Sequence, residues 1–147
     1  LGASKQESRA PTLPSFSTRR PEDARILFVD DDPGMRTLVT MNLESEGFLV
    51  STAEDGDSGL EAVERLHPDL VVLDVMMPGR DGIEVLTEMR ARPEAEGIPV
   101  VLLTAKAADS DVWQGWSAGA DYYITKPFKP EDLLSVAHDI LGTAGQW

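Results

Sequence analysis

The sequence predicts an α/β fold: a three-layer, doubly wound, five-stranded parallel sheet with helices on both faces. Short β-branched and apolar runs at 26–30, 48–52, 69–74, 98–104 and 120–125 alternate with helical patterns. The connections are too short for anything but crossover helices, which dictates parallel strands. Each run also has the length and near-continuous apolar character of a strand buried on both sides. At 147 residues and 41% hydrophobic content, the chain has the size of one domain and enough apolar material for a core.

Residues 1–23 are rich in Ser, Pro, Arg and Thr and lack apolar periodicity, with Lys5, Arg9, Arg19 and Arg20 set against Glu7, Glu22 and Asp23. They read as a flexible leader. The chain begins at Leu1 rather than a methionine, which reads as a piece of a longer protein. Residues 24–143 form the domain and 144–147 a tail. The first helix follows Pro33 and places Met35, Leu38, Val39 and Leu43 on one face, with Gly47 just past its end. The last helix opens at Pro130, repeats the pattern with Leu133, Val136, Ala137, Ile140 and Leu141, and closes at Gly142. The fourth helix, ADSDVWQGWSAG, carries Gly115 in its interior. A glycine there costs about 1 kcal/mol relative to alanine, which predicts the least firmly held helix of the five. Trp113 and Trp116 lie one turn apart on it, and such a pair serves either as a docking patch or, for one of them, as packing against the sheet.

The net charge is −13, from 26 acidic and 13 basic residues. Such a surface repels nucleic acid and anionic membranes, so direct contact with either is not expected. There is no cysteine, which excludes a disulfide scaffold, a thiolate zinc site and a thiol nucleophile. The apolar stretches around 70–73 and 100–103 fall far short of the roughly 20 residues of a membrane span, and the first ten residues lack the apolar centre of a signal peptide. A soluble protein is expected.

Ligands of open parallel sheets bind beyond the carboxyl ends of the strands. There the first strand delivers Asp30, Asp31 and Asp32, the third Asp74, the fourth Thr104 and the fifth Thr125 and Lys126. The second ends in nothing more reactive than Ser51 and Thr52. Clustered carboxylates raise one another's pKa and are costly unless a cation neutralises them. Oxygen ligands at a partly open site suit Mg2+, or Mn2+ in its place. Asp32, directly before Pro33, is placed to cap the first helix rather than to bind metal. Asp74 follows the apolar run LVVL and precedes the turn-rich VMMPGRDG, so the sheet presents its carboxylate rigidly under open space. A carboxylate beside a metal, a hydroxyl and a lysine can attack phosphorus and form an acyl phosphate.

The segments LFVDDDPGMR, LVVLDVMMPGRDG, VVLLTAKA and GADYYITKPF occur in this order, each at a strand end. Together they resemble the receiver domain of two-component response regulators, across nearly everything from Arg25 to Gly142. The resemblance implies the flavodoxin-like strand order 2-1-3-4-5 and makes Asp74 the phosphoacceptor. Asp31 then touches the metal directly, Asp30 reaches it mainly through water, and Met76 lends a backbone carbonyl. Thr104 becomes the switch hydroxyl, Lys126 the phosphoryl-pairing lysine, Tyr123 the switch aromatic, and Lys126-Pro127 a cis peptide. Lys106 and Met76 flank the site and influence phosphoryl lifetime. The implied partners are a histidine kinase or histidine phosphotransfer protein, an output domain or protein target, and a second copy through the face formed by the fourth helix, fifth strand and fifth helix. The implied location is the cytoplasm, and the only catalysis is self-directed.

Two other readings fit less well. A phosphatase of the haloacid-dehalogenase type also uses a strand-end aspartate with Mg2+ but needs a second acid two residues later, where this chain has Met76. A pseudo-receiver that works without phosphorylation usually lacks part of the constellation, and here it is complete.

Overall fold

Strand runs that are apolar on both faces must be covered on both faces, and the chain meets that demand with three layers. The structure, a computed structural model, describes residues 20–105 and 109–143, with only the backbone at 109–113. The elements are β1 (Arg25–Val29), α1 (Pro33–Ser45), β2 (Leu49–Ala53), α2 (Gly56–Leu66), β3 (Leu70–Asp74), α3 (Gly82–Arg90), β4 (Val100–Thr104), α4 (Asp109–Ala118), β5 (Tyr122–Thr125) and α5 (Pro130–Leu141). All neighbouring strands are parallel, in the order β2-β1-β3-β4-β5. The predicted fold class and order are therefore those observed. Residues 21–23, grouped with the leader by composition, form a 3-10 turn, and Pro21 and Glu22 lie over Gly47.

Side chains alternate across the sheet and divide the core in two. Leu27, Val29, Val71, Leu73, Val100 and Leu102 face one side and pack with Leu60 and Val63 of α2 and Val85, Leu86 and Met89 of α3. Ile26, Phe28, Leu70, Val72, Val101 and Leu103 face the other, against Val39 and Leu43 of α1 and Leu133, Val136, Ala137 and Leu141 of α5. β3 and β4 are buried along their whole length, whereas the edge strands β2 and β5 are only partly covered. At about 25 cal/mol per Å2 of apolar surface removed from water, this two-sided burial is the main force holding the fold.

Helix ends follow local chemistry. Asp32 caps α1, accepting from Gly34 N and Met35 N at 2.9 and 3.3 Å. Gly47 and Gly142 take the positive φ values of 99° and 68° that chain exit requires. Asp55 and Asp81 form capping boxes at α2 and α3. One expectation needs correction. Leu38, assigned to the buried face of α1, is 47% exposed; only Val39 and Leu43 reach the sheet fully, and Leu38 borders a narrow cleft with Phe128, Pro130 and Leu133. Gly115 also has a packing role in α4. A Cβ there would stand 2.6 Å from Tyr123 Cε2 and 2.9 Å from Leu102 Cδ1, so glycine is what lets α4 lie close on β4 and β5.

Candidate functional site

The parallel register brings the ends of β1, β3, β4 and β5 to one edge. Asp30, immediately after β1, is fully buried, and its amide donates to Ala53 O at 3.1 Å. Its Oδ1 accepts from Asp32 N at 2.9 Å and its Oδ2 from Lys126 Nζ at 3.2 Å. Its carbonyl oxygen accepts from Arg36 Nη1 at 2.6 Å. Asp31, next in the chain, is exposed. Asp74 closes β3, is 3% exposed, accepts from Met76 N through Oδ1 at 3.2 Å, and faces Lys126 Nζ through Oδ2 at 3.3 Å. One carboxylate oxygen from each of Asp30, Asp31 and Asp74 lies within 4.8 Å of the others.

Burial and the neighbouring Asp30 charge push the Asp74 carboxyl up to about 6, against the opposing pull of Lys126 and the Met76 amide. Burial works against the charge on Lys126, yet the Asp74 and Asp30 carboxylates outweigh it and hold the ammonium above the usual lysine range. Negative charge still exceeds positive within the cluster. An all-oxygen donor set with excess negative charge, buried on one side and open at Asp31, fits a hard divalent cation such as Mg2+.

Thr104 is buried at the end of β4, level with Thr125, and its carbonyl accepts from Lys126 N at 2.6 Å. The Lys126-Pro127 bond is cis. Tyr123, half-buried on β5, has its ring 6.3 Å from that of Trp116, which is 47% exposed. Met76 is 69% exposed beside the cluster. Lys106 and the Trp113 side chain lie outside the described residues.

Asp30, Asp31, Asp74, Thr104 and Lys126 thus meet at one edge, and Asp32 caps the helix instead. Sequence reasoning missed two contributors. A Cβ at Gly82, at the start of α3, would collide with the carbonyl oxygen of Asp74 and stand 2.9 Å from Val75 Cα, so this glycine lets α3 begin directly against the backbone of the site. The other is Arg36, whose only signal in the sequence is a basic residue in the first turns of α1, six positions after the first acid.

A parallel 2-1-3-4-5 sheet with acids and a lysine gathered at its carboxyl edge defines the CheY-like class of flavodoxin-ordered domains. Within that class, the chain belongs to the response regulator receiver family, whose model matches residues 26–138. It is 48% identical over 111 residues to the DNA-binding response regulator MtrA of Mycolicibacterium smegmatis, covering 76% of this chain and 47% of that protein. It is 44% identical over 120 residues to the probable transcriptional regulatory protein TcrX of Mycobacterium tuberculosis, covering 82% and 50%. The chain spans about half the length of these relatives. Among solved structures, the chemotaxis protein CheY4 of Vibrio cholerae matches with a TM-score of 0.77 and 31% identity, over 80% of this chain and 98% of that one. Among the described residues, no helix is long and apolar enough to cross a membrane.

Proposed function

We propose that residues 24–143 form a phospho-accepting switch, in which Asp74 receives a phosphoryl group from a histidine kinase or a histidine phosphotransfer protein. The observation that carries the reading is the buried Asp74 carboxylate, held between Lys126 Nζ at 3.3 Å and the Met76 amide at 3.2 Å beside two further acids. An Asp74 carboxylate oxygen attacks phosphorus, the bond from phosphorus to the donor breaks, and the donor leaves with the bonding pair. Lys126 pairs with a phosphoryl oxygen and the Thr104 hydroxyl donates to another, so charge gathering on the transferred group meets fixed donors. Asp30, Asp31, Asp74 and the Met76 carbonyl would hold Mg2+ or Mn2+, which when bound supplies charge neutralisation between the carboxylate and the incoming phosphoryl group.

Drawing Thr104 toward the phosphoryl group makes room for Tyr123 to turn inward, and the α4-β5-α5 face then passes the state to an output domain, a protein target or a second copy of the chain. The acidic surface argues against nucleic acid or membrane as a direct partner. The cytoplasm is the compartment that suits such a switch, and its catalysis stays confined to its own aspartate. Incubation with acetyl phosphate, read by intact mass, tests the metal requirement. A phosphoryl adduct is expected with Mg2+ and none with a chelator; equal yields in both contradict the proposed acid-pair role.

A further inference from the structure

Asp31 is the exposed member of the acid cluster, and a ligand already held in place binds a metal more tightly than one that must be ordered on binding. Its own backbone offers the means. The peptide joining Asp30 to Asp31 is a rigid plane, so fixing the Asp30 carbonyl oxygen fixes the plane from which Asp31 departs. That oxygen accepts from Arg36 Nη1 at 2.6 Å, a short charge-assisted bond. Among the described residues, the guanidinium has no ion pair with a carboxylate, although it borders the same cleft as Glu54 and Asp55. Its own amide donates to Asp32 O at 3.0 Å, which ties the arginine to the same loop. Lys126 holds the Asp30 carboxylate from one side and Arg36 its carbonyl from another, while Asp31 and Asp32 after it are exposed.

We propose that Arg36 is a positioning residue that pre-orders the Asp30–Asp31 peptide so that Asp31 is aimed for a divalent cation. The inference rests on the metal reading above. It carries a sign that distinguishes it from simple electrostatics. Removing a positive charge from beside an acidic cluster tightens cation binding if only charge matters. Loss of an orienting partner weakens it, by about tenfold for groups of this kind.

The test is calorimetric titration of Mg2+ into the full chain and into Arg36→Met and Arg36→Lys, with far-UV circular dichroism and thermal melts of the metal-free proteins alongside. Arg36→Met is expected to weaken Mg2+ binding about tenfold, and Arg36→Lys, which keeps one donor and the charge, by roughly two- to threefold. With acetyl phosphate, the half-saturating Mg2+ concentration rises in step while the rate at saturating Mg2+ stays within about twofold, the signature of lost pre-ordering rather than lost chemistry. Unchanged or tighter Mg2+ binding by a folded Arg36→Met variant overturns the inference and leaves the metal reading standing. If that variant does not fold, unchanged affinity in Arg36→Lys overturns it instead. Failure of the unsubstituted chain to bind Mg2+ overturns the metal reading and this inference with it.

Discussion

At the amino ends of β4 and β5 one cation is saturated by its partners, whereas at the carboxyl ends two buried carboxylates share one cation. Arg90, closing α3, donates from Nε and Nη2 to Gly119 O at 3.1 and 2.9 Å, and from Nη1 to Glu96 O and Ile98 O at 3.0 and 2.8 Å. Its Nη2 also meets Asp121 Oδ2 at 3.0 Å, an oxygen that accepts from Val100 N at 2.8 Å. At the opposite edge, Lys126 faces both Asp30 and Asp74, Asp31 stands beside them, and Asp74 is pushed up to about 6. A satisfied polar network fastens loops and asks for nothing more. A cluster left with surplus negative charge is a standing demand for a cation, and that demand costs the metal-free fold stability.

The contrast breaks first at Arg90. Arg90→Ala leaves the carbonyls of Gly119, Glu96 and Ile98 without these donors and is expected to destabilise by about 3 kcal/mol, seen as a lower urea midpoint. On the proposed reading, the folded fraction is expected to take a phosphoryl group from acetyl phosphate to the same extent as the native chain, because nothing at the carboxyl edge is touched. Next comes the α4 contact: Gly115→Ala drives a methyl group into Tyr123 and Leu102 and should destabilise by about 2 kcal/mol. Helix propensity alone predicts a gain of about 1 kcal/mol, so the sign of the change decides between close packing and a merely weak helix.

At the carboxyl edge the expected change is of opposite sign. The Asp74 carboxyl is raised on folding from 3.8 to about 6, so the native state binds the extra proton and loses stability as pH climbs through that interval. In metal-free buffer Asp74→Asn should therefore be more stable than the native chain at pH 8, by on the order of 1–2 kcal/mol, with no advantage at pH 4. A variant less stable at pH 8 would show that the cluster is not under strain. The smallest effect separates neighbours in the acid run. Asp32→Ala loses the α1 cap, costs about 1 kcal/mol in a thermal melt and leaves Mg2+ affinity intact. Asp31→Ala should barely move the melt but weaken Mg2+ binding markedly; equal effects on Mg2+ would undo the assignment within the triplet.

Which parts of this were legible in the sequence follows from how local their causes are. Strand and helix alternation is written in apolar periodicity, and Asp30, Asp31, Asp74, Thr104 and Lys126 stand out because each ends a strand. Pro33 marks Asp32 as the cap. Leu38 departs from its expected burial because helical spacing says which residues share a face but not how wide a stripe the sheet covers. Gly115 and Gly82 owe their identity to atoms remote in the chain or across a loop, Tyr123 for one and the Asp74 carbonyl for the other. Arg90 finds Gly119 twenty-nine residues away. Buried His138 likewise depends on distant company, with Nε2 3.0 Å from Glu46 Oε1 and Nδ1 2.5 Å from Thr143 Oγ1. No local pattern announces such partners.

On the proposed reading, the crowded edge places one carboxylate, Asp74, for phosphoryl transfer. Its most direct test is the intact mass of the native chain and of Asp74→Asn after incubation with acetyl phosphate and Mg2+. A single phosphoryl adduct is expected on the native chain and none on the variant; an adduct that persists in Asp74→Asn, or none on the native chain, contradicts the phosphoacceptor role of Asp74.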